Sequence, residues 1–216
     1  MTVLITFEGA EGSGKSTQVA LLSAWLTRQC IAHVVTREPG GTPLGEQLRT
    51  LLLDSHVSVT ATAEAYLMTG ARAQHVADVI QPALKRGDIV VSDRYVDSTL
   101  AYQGAGRGLD VDALRALQQL AVQGIWPDLT ILLDVPAAIG LQRRGRNGGV
   151  NRIDREVAQF HERVAAWFRA AASDDPVRWR IIEATQPIDV VHTLVVEYVH
   201  EALAVSSESS FERFAR

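Results

Sequence analysis

Cysteine is almost absent from this chain: Cys30 stands alone, so no internal disulfide can form, which fits a reducing compartment. As a small apolar residue near the end of the first helical stretch, Cys30 is expected to pack rather than react. No apolar run approaches the roughly 20 residues that span a bilayer, and the N-terminus leads straight into a strand without a secretory-leader pattern. A cytoplasmic protein with no membrane partner is therefore expected. An excess of positive charge is also missing. With 21 Lys and Arg against 25 Asp and Glu, the formal charge of −4 offers no footprint for nucleic acid. Nor does composition shift along the chain, so one domain is expected over residues 1–205, followed by a polar tail at 206–216 that should fray. What is present, 47% hydrophobic and 21% charged residues in a chain of 216, suits a globular enzyme with a substantial core.

The most informative stretch is Gly9-Ala10-Glu11-Gly12-Ser13-Gly14-Lys15-Ser16-Thr17. It fits the phosphate-loop pattern G-x-x-x-x-G-K-[ST], with the required context on both sides. The β-branched and apolar run at 3–7 reads as a buried parallel strand, and 18–26 has apolar side chains at helical spacing. Glycine lets backbone N–H groups approach phosphate oxygens closely and can take positive φ. The helix N-terminus adds its dipole and unpaired donors. On this reading the whole nonapeptide binds ATP, Lys15 reaches the β- and γ-phosphates, and the Ser16 hydroxyl ligates Mg²⁺. A glycine-rich turn with a surface lysine is the bland alternative.

Alternation of strand and helix continues. Residues 32–36 read as a second strand, ending in a loop, Arg37 to Thr42, that the parallel arrangement sets beside the phosphate loop. Arg37 either meets a substrate phosphate or pairs with Glu38 at the surface. Thr42 is placed to cap a helix over 44–53. A long helix is predicted from 61 to 80, continuing past Pro82 to 85, with Met68 and Arg72 four residues apart on one side of it. The strand at 89–92 delivers Asp93 and Arg94 to the catalytic edge, where Asp93 suits Mg²⁺ and Arg94 a bidentate phosphate contact. Hydroxyl and amide groups on Ser98, Thr99, Tyr102 and Gln103 suit the edge of a base or sugar. The glycines at 104, 106 and 108 predict a mobile loop. Helix over 110–123, strand over 129–134 and helix over 137–143 follow. Arginine and glycine then interleave at 143–153, which predicts a flexible, charged lid. An apolar stripe of Phe160, Val164, Trp167 and Phe168 marks a core helix over 156–172. Strand over 178–182 and helix from 188 to about 204 close the pattern.

Five strands alternating with helices, a phosphate loop after the first and an arginine-rich lid after the fourth resemble the nucleoside monophosphate kinase class: an α/β P-loop NTPase fold with a five-stranded parallel sheet. Thr36-Arg37-Glu38-Pro39-Gly40-Gly41-Thr42, Asp93-Arg94-Tyr95, Ser98 and Ala101-Tyr102-Gln103 closely resemble the thymidylate kinase family. The resemblance implies transfer of the ATP γ-phosphate to dTMP, giving dTDP and ADP, with Mg²⁺, in a homodimer. It implies that Glu11 lies near the sugar 3′-hydroxyl, that Arg37 and Arg94 hold the acceptor phosphate, and that Arg72 donates to thymine O4. Thr99, Tyr102 and Gln103 fall where the family reads the base and rejects a 2′-hydroxyl, with Ser98 beside them. Met68 replaces the phenylalanine usually stacked on thymine. Gly12 stands where one branch of the family has a basic residue, so the catalytic cation is expected from the lid. Arg146 is assigned that role, with Arg143, Arg144 and Arg152 as competitors, and Arg143 and Thr185 are placed on the ATP side. The catalytic set is thus Lys15, Arg94, Arg146 and Glu11. A kinase for another nucleotide, a P-loop regulatory ATPase and a silent binding module are the alternatives.

Overall fold

The computed structural model describes residues 2–146 and 151–214, with side chains described to residue 205; residues 147–150, within the expected lid, lie outside this range. Its strands are β1 (Leu4–Glu8), β2 (His33–Arg37), β3 (Ile89–Asp93), β4 (Leu129–Asp134) and β5 (Trp179–Glu183). They form one parallel sheet in the order β2-β3-β1-β4-β5. From β1 at the centre the chain crosses to β2 at one edge, returns to β3 between the two, and then continues through β4 to β5 on the other side; the crevice for ligands opens at the carboxyl ends of the central strands.

Strand side chains alternate between two buried faces, which is why the strands read as continuous apolar runs. Ile5 and Phe7 of β1, Val91 of β3 and Ile131 and Leu133 of β4 pack on one side against α1 (Lys15–Arg28) and α9 (Ile188–Phe214). Leu4 and Val90 point the other way, toward Val76 and Ile80. On that side stand α2 (Pro43–Leu53), α3 (Ala61–His75), α4 (Gln81–Arg86), α6 (Val111–Val122) and α8 (Ala158–Asp174). Phe160, Val164 and Phe168 of α8 are buried beside Leu132 of β4 and Trp179 of β5, as the apolar stripe predicts. Thr42 caps α2, its hydroxyl accepting the Gly45 N–H at 3.0 Å.

Four local expectations are corrected. The long helix is not uniform: Val76–Ile80 is a π-helical segment between α3 and α4, and this wider turn ends two residues before Pro82, which cannot donate to a regular helix. The glycine run is no loose loop. A short helix, α5 (Val96–Thr99), runs on into a second π segment, Leu100–Gly106, in which Gly104 and Gly106 are buried. A Cβ on Gly106 would lie 2.6 Å from the Phe160 ring, and Arg163 donates to the Ala105 and Gly106 carbonyls at 3.0 and 2.6 Å. Gly106 thus permits close packing on α8, and Gly104 on Val111 and Leu114 of α6. Cys30 is exposed, its backbone in the left-handed region at φ 57° just past α1. Finally, α9 continues through Phe214, beyond the end near residue 204, because no glycine or proline interrupts residues 205–214.

Gly106→Ala is expected to lower stability by about 1–3 kcal/mol through overpacking against buried Phe160. A urea midpoint unchanged from wild type would show that the ring can move aside.

Candidate active site

The phosphate loop leaves β1 at Glu8 and enters α1 at Lys15, with φ of 139°, 69° and 96° at Gly9, Gly12 and Gly14. These angles exclude ordinary side chains and turn main-chain N–H groups toward the crevice. Lys15 is folded back over its own loop, where Nζ donates to the Gly9 and Ala10 carbonyls at 2.9 and 2.8 Å and to Ser13 Oγ at 3.1 Å. Burial, reinforced by the neighbouring Arg94 charge, pushes the Lys15 ammonium down to about 8, against the pull of Glu11 and Asp93. Ser16 Oγ donates to Asp93 Oδ2 at 2.6 Å. Among the described residues no group of three His, Cys, Asp or Glu side chains could hold a metal ion.

Arg94 ends β3 in the left-handed region, φ 72°, a strained conformation for a branched chain of this size. Three bonds fix it: Arg94 N donates to the Phe7 carbonyl at 3.0 Å, Ser92 Oγ to the Arg94 carbonyl at 2.7 Å, and Tyr95 N to Glu8 Oε1 at 2.8 Å. The guanidinium is thereby aimed at Glu11, 2.7 Å away, with Tyr102 Oη and Ser98 Oγ at 3.0 and 3.1 Å. It also lies over the Tyr102 ring, 4.8 Å from the centroid. Burial by itself would weaken the Arg94 charge, but Glu11, Tyr102 and Glu8 override it and hold the guanidinium protonated. Burial likewise opposes ionisation of Glu11, yet Arg94 and Lys15 draw its carboxyl down to about 2.

Beyond Arg94 a second pocket is walled by Met68, Arg72, Ser98, Thr99, Tyr102 and Gln103. Arg72 is buried, and every guanidinium N–H has a protein acceptor. Nε and Nη2 meet Glu38, Nη1 donates to Thr99 Oγ1 at 2.9 Å and to Gln118, and Nη2 also donates to the Tyr95 carbonyl at 2.9 Å. His75 completes the support, with Nδ1 2.8 Å from Glu38 Oε1. Burial pushes the Glu38 carboxyl up, but Arg72 and His75 outweigh it and hold the carboxyl low. The pocket and the phosphate-loop crevice share Glu11, Glu38, Arg49 and Arg94, so they are one continuous cleft.

A sequence model of thymidylate kinase matches residues 7–195 of this chain. A thymidylate kinase of Thermomicrobium roseum is 55% identical over 204 residues, covering 94% of this chain and 97% of its own. One of Desulfovibrio desulfuricans is 50% identical, covering 86% and 89%. The crystal structure of thymidylate kinase from Ehrlichia chaffeensis superposes with a TM-score of 0.74 at 32% identity, covering 92% of this chain and 98% of that one. The chain belongs to the thymidylate kinase family. It is thus a phosphotransferase with the α/β P-loop fold expected from its sequence.

Within a thymidylate kinase the candidate residues separate clearly. Residues 11–17 line the phosphate-loop crevice, with Arg143, Arg144 and Arg146 of α7 (Ala137–Arg146) also lining it. Arg143 donates to the Ala184 carbonyl at 2.7 Å, and Arg144 meets Asp154 at 3.2 Å. Arg152 is drawn away from the crevice: it donates to the Leu52 carbonyl at 3.0 Å and pairs with buried Glu64. Thr185 is not brought to the crevice wall either. Its hydroxyl donates to Glu183 at 2.6 Å, while the flanking Ala184 and Gln186 line the space. Arg37 pairs with Glu46 at 2.9 Å, not with Glu38, and its side chain is 54% exposed on the rim of the phosphate-loop crevice. Gln103 lines the pocket and donates to Glu64 at 2.6 Å.

Sequence reasoning missed Arg49. It lines both parts of the cleft, donates to the Pro39 carbonyl at 2.8 Å, and is destabilised as a cation by burial and by the nearby charges of Arg37 and Arg94. The signal was its position three residues before buried Leu52, which turns it inward from α2. Glu8 was missed as well. Fully buried, it is pushed up to about 7 by burial and by Asp97, only partly offset by Arg94 and by hydrogen bonds from Ser98 and Tyr95.

Folded Glu8 keeps its proton to about pH 7, whereas the unfolded chain releases it near 4.5. The folded state therefore binds more protons in that window, and stability is lost as pH rises through it. Wild type should lose on the order of 3 kcal/mol through this group between about pH 5 and 8. Glu8→Gln, with no proton to release, should show a smaller fall in denaturant titrations at the two pH values; equal falls would mean that Glu8 does not titrate there.

Proposed function

We propose that the cleft holds ATP and dTMP end to end and transfers the γ-phosphoryl group between them, with Arg94 at the junction. The observation that carries this reading is the convergence of Arg94, Arg49 and Arg37 on a cleft whose other end is a complete phosphate loop. One phosphate loop suffices for ATP; a second cluster of guanidinium groups needs a second anion. A dTMP phosphate oxygen forms the new bond to the γ-phosphorus as the bond to the β–γ bridging oxygen breaks. Positioning and charge compensation are the chain's contribution.

Lys15 would leave the Gly9 and Ala10 carbonyls for the phosphates. Ser16 and Asp93, whose oxygens lie 2.6 Å apart, would hold Mg²⁺, which would offset phosphate charge. Arg146, exposed in the last turn of α7, is our choice for the lid cation; Arg152 is committed to Glu64. Glu11 accepts from Arg94 and Tyr102, and so orders the groups next to the sugar. Met68 offers an apolar thioether to the base. For Arg72 to reach thymine O4, one of its bonds to Thr99 or Gln118 must be exchanged. A cytoplasmic setting fits a chain that consumes ATP.

A coupled ADP-release assay tests the reading. Release should require dTMP and should fall about 10³-fold or more in kcat in Arg146→Ala, with modest change in KM. ADP release independent of dTMP would favour a regulatory ATPase, and preference for another monophosphate a different kinase.

We also propose a homodimer. Tyr66 of α3 and Leu120 of α6, helices that pack on each other, are 62% and 79% exposed and would be covered by a second copy. Sedimentation equilibrium should return twice the chain mass of 23.5 kDa; a monomer mass at micromolar concentration would refute it.

A further inference from the structure

The phosphate loop and α7 approach main chain to main chain at Gly12 and Gly140. A Cβ on Gly12 would collide with the carbonyl of Gly140, and a Cβ on Gly140 would collide with the carbonyl oxygen of Glu11. Both obstacles are main chain, so neither can yield by turning a side chain. Gly140 is also the buried residue of α7. Its N–H, with that of Ile139, bonds to the Pro136 carbonyl, at 3.1 and 2.9 Å, which fixes the first turn of the helix. Arg143 and Arg144 follow three and four residues later, hence on the same face, and Arg146 closes the helix. All three line the nucleotide crevice.

We infer that Gly140 is a positioning residue: its backbone seat on Glu11 and Gly12 sets how far the α7 arginines reach over the phosphate loop. The inference rests on the reading that an α7 arginine assists transfer, and it adds a reason for the missing side chain at position 12. A loop cation and a seated α7 exclude each other sterically. A basic side chain at position 12 would have to pass through the Gly140 main chain, so the cation is delivered by α7 instead. The helix behaves as a short lever, and a shift at its seat is carried to the arginines one and two turns away.

Gly140→Ala in the full chain tests this, with Gly70→Ala as the control, because a Cβ on Gly70 of α3 meets open space. Lifting α7 by about 1 Å should lower kcat about 10²-fold. The KM for dTMP, and dTMP affinity by calorimetry, should stay within roughly threefold, because none of that pocket's walls belongs to α7 and, Glu11 apart, none meets Gly140. Gly70→Ala should match wild type. A kcat for Gly140→Ala within a few-fold of wild type overturns the inference. So does parallel loss of kcat and dTMP binding, which would make the contact a requirement of folding. Arg146→Ala, assayed alongside, separates the two levels. If it keeps kcat while Gly140→Ala loses it, the seat stands and another α7 arginine supplies the charge. If it loses kcat while Gly140→Ala does not, the seat is refuted and the lid reading survives.

Discussion

The ion pair between Arg94 and Glu11, 2.7 Å apart at the junction of two crevices, is the contact on which the cleft depends. Its geometry is set by a backbone that an arginine does not adopt freely. A left-handed residue at the end of a strand costs on the order of 1 kcal/mol or more, and it persists only where its surroundings over-determine it. Here Phe7, Glu8 and Ser92 do so through hydrogen bonds on both sides of the residue. The strained peptide thus converts the ends of β1 and β3, neighbours in the sheet, into a fixed mount for one guanidinium.

Around that mount, four other polar or charged groups of the cleft are met by protein partners. Lys15 has loop carbonyls, Ser16 has Asp93, Arg37 has Glu46 and Arg72 has Glu38. Uncompensated charges in a partly buried cleft would be too costly, so the fold supplies partners from within. On the proposed reading, substrate phosphates would compete with these partners. Donors already held at the cleft would, once those partners are exchanged, favour charge as it develops on the moving phosphoryl group.

The second half of the cleft is held by a separate network. Buried Glu64 receives Gln103, Arg107 and Arg152, which come from the π segment, the turn after it and the far end of the expected lid. That carboxylate joins the pocket wall to the chain leaving the lid. The arginines of residues 143–153 therefore do not form one flexible set. Arg143, Arg144 and Arg146 on α7 line the phosphate-loop crevice, the first bonded to the Ala184 carbonyl and the second to Asp154, whereas Arg152 pairs with Glu64.

The chain's own order of residues determined the sheet, the phosphate loop and the family, because these depend on local patterns: apolar runs, glycines at fixed offsets, and charged residues at strand ends. It also placed Glu11, Lys15, Ser16, Asp93 and Arg94 at one edge, since parallel strands bring their carboxyl ends together. Long-range packing alone decided the remainder. Glycines 104 and 106 looked like a loose loop until α6 and α8 were laid against them, and Arg49 drew no notice until its helix was docked. Arg152 could not be told from its neighbours until Glu64, 88 positions earlier, was brought to it. Such contacts join residues far apart in the chain, and whether an arginine is free to meet a phosphate depends on which carboxylate the fold has already set beside it.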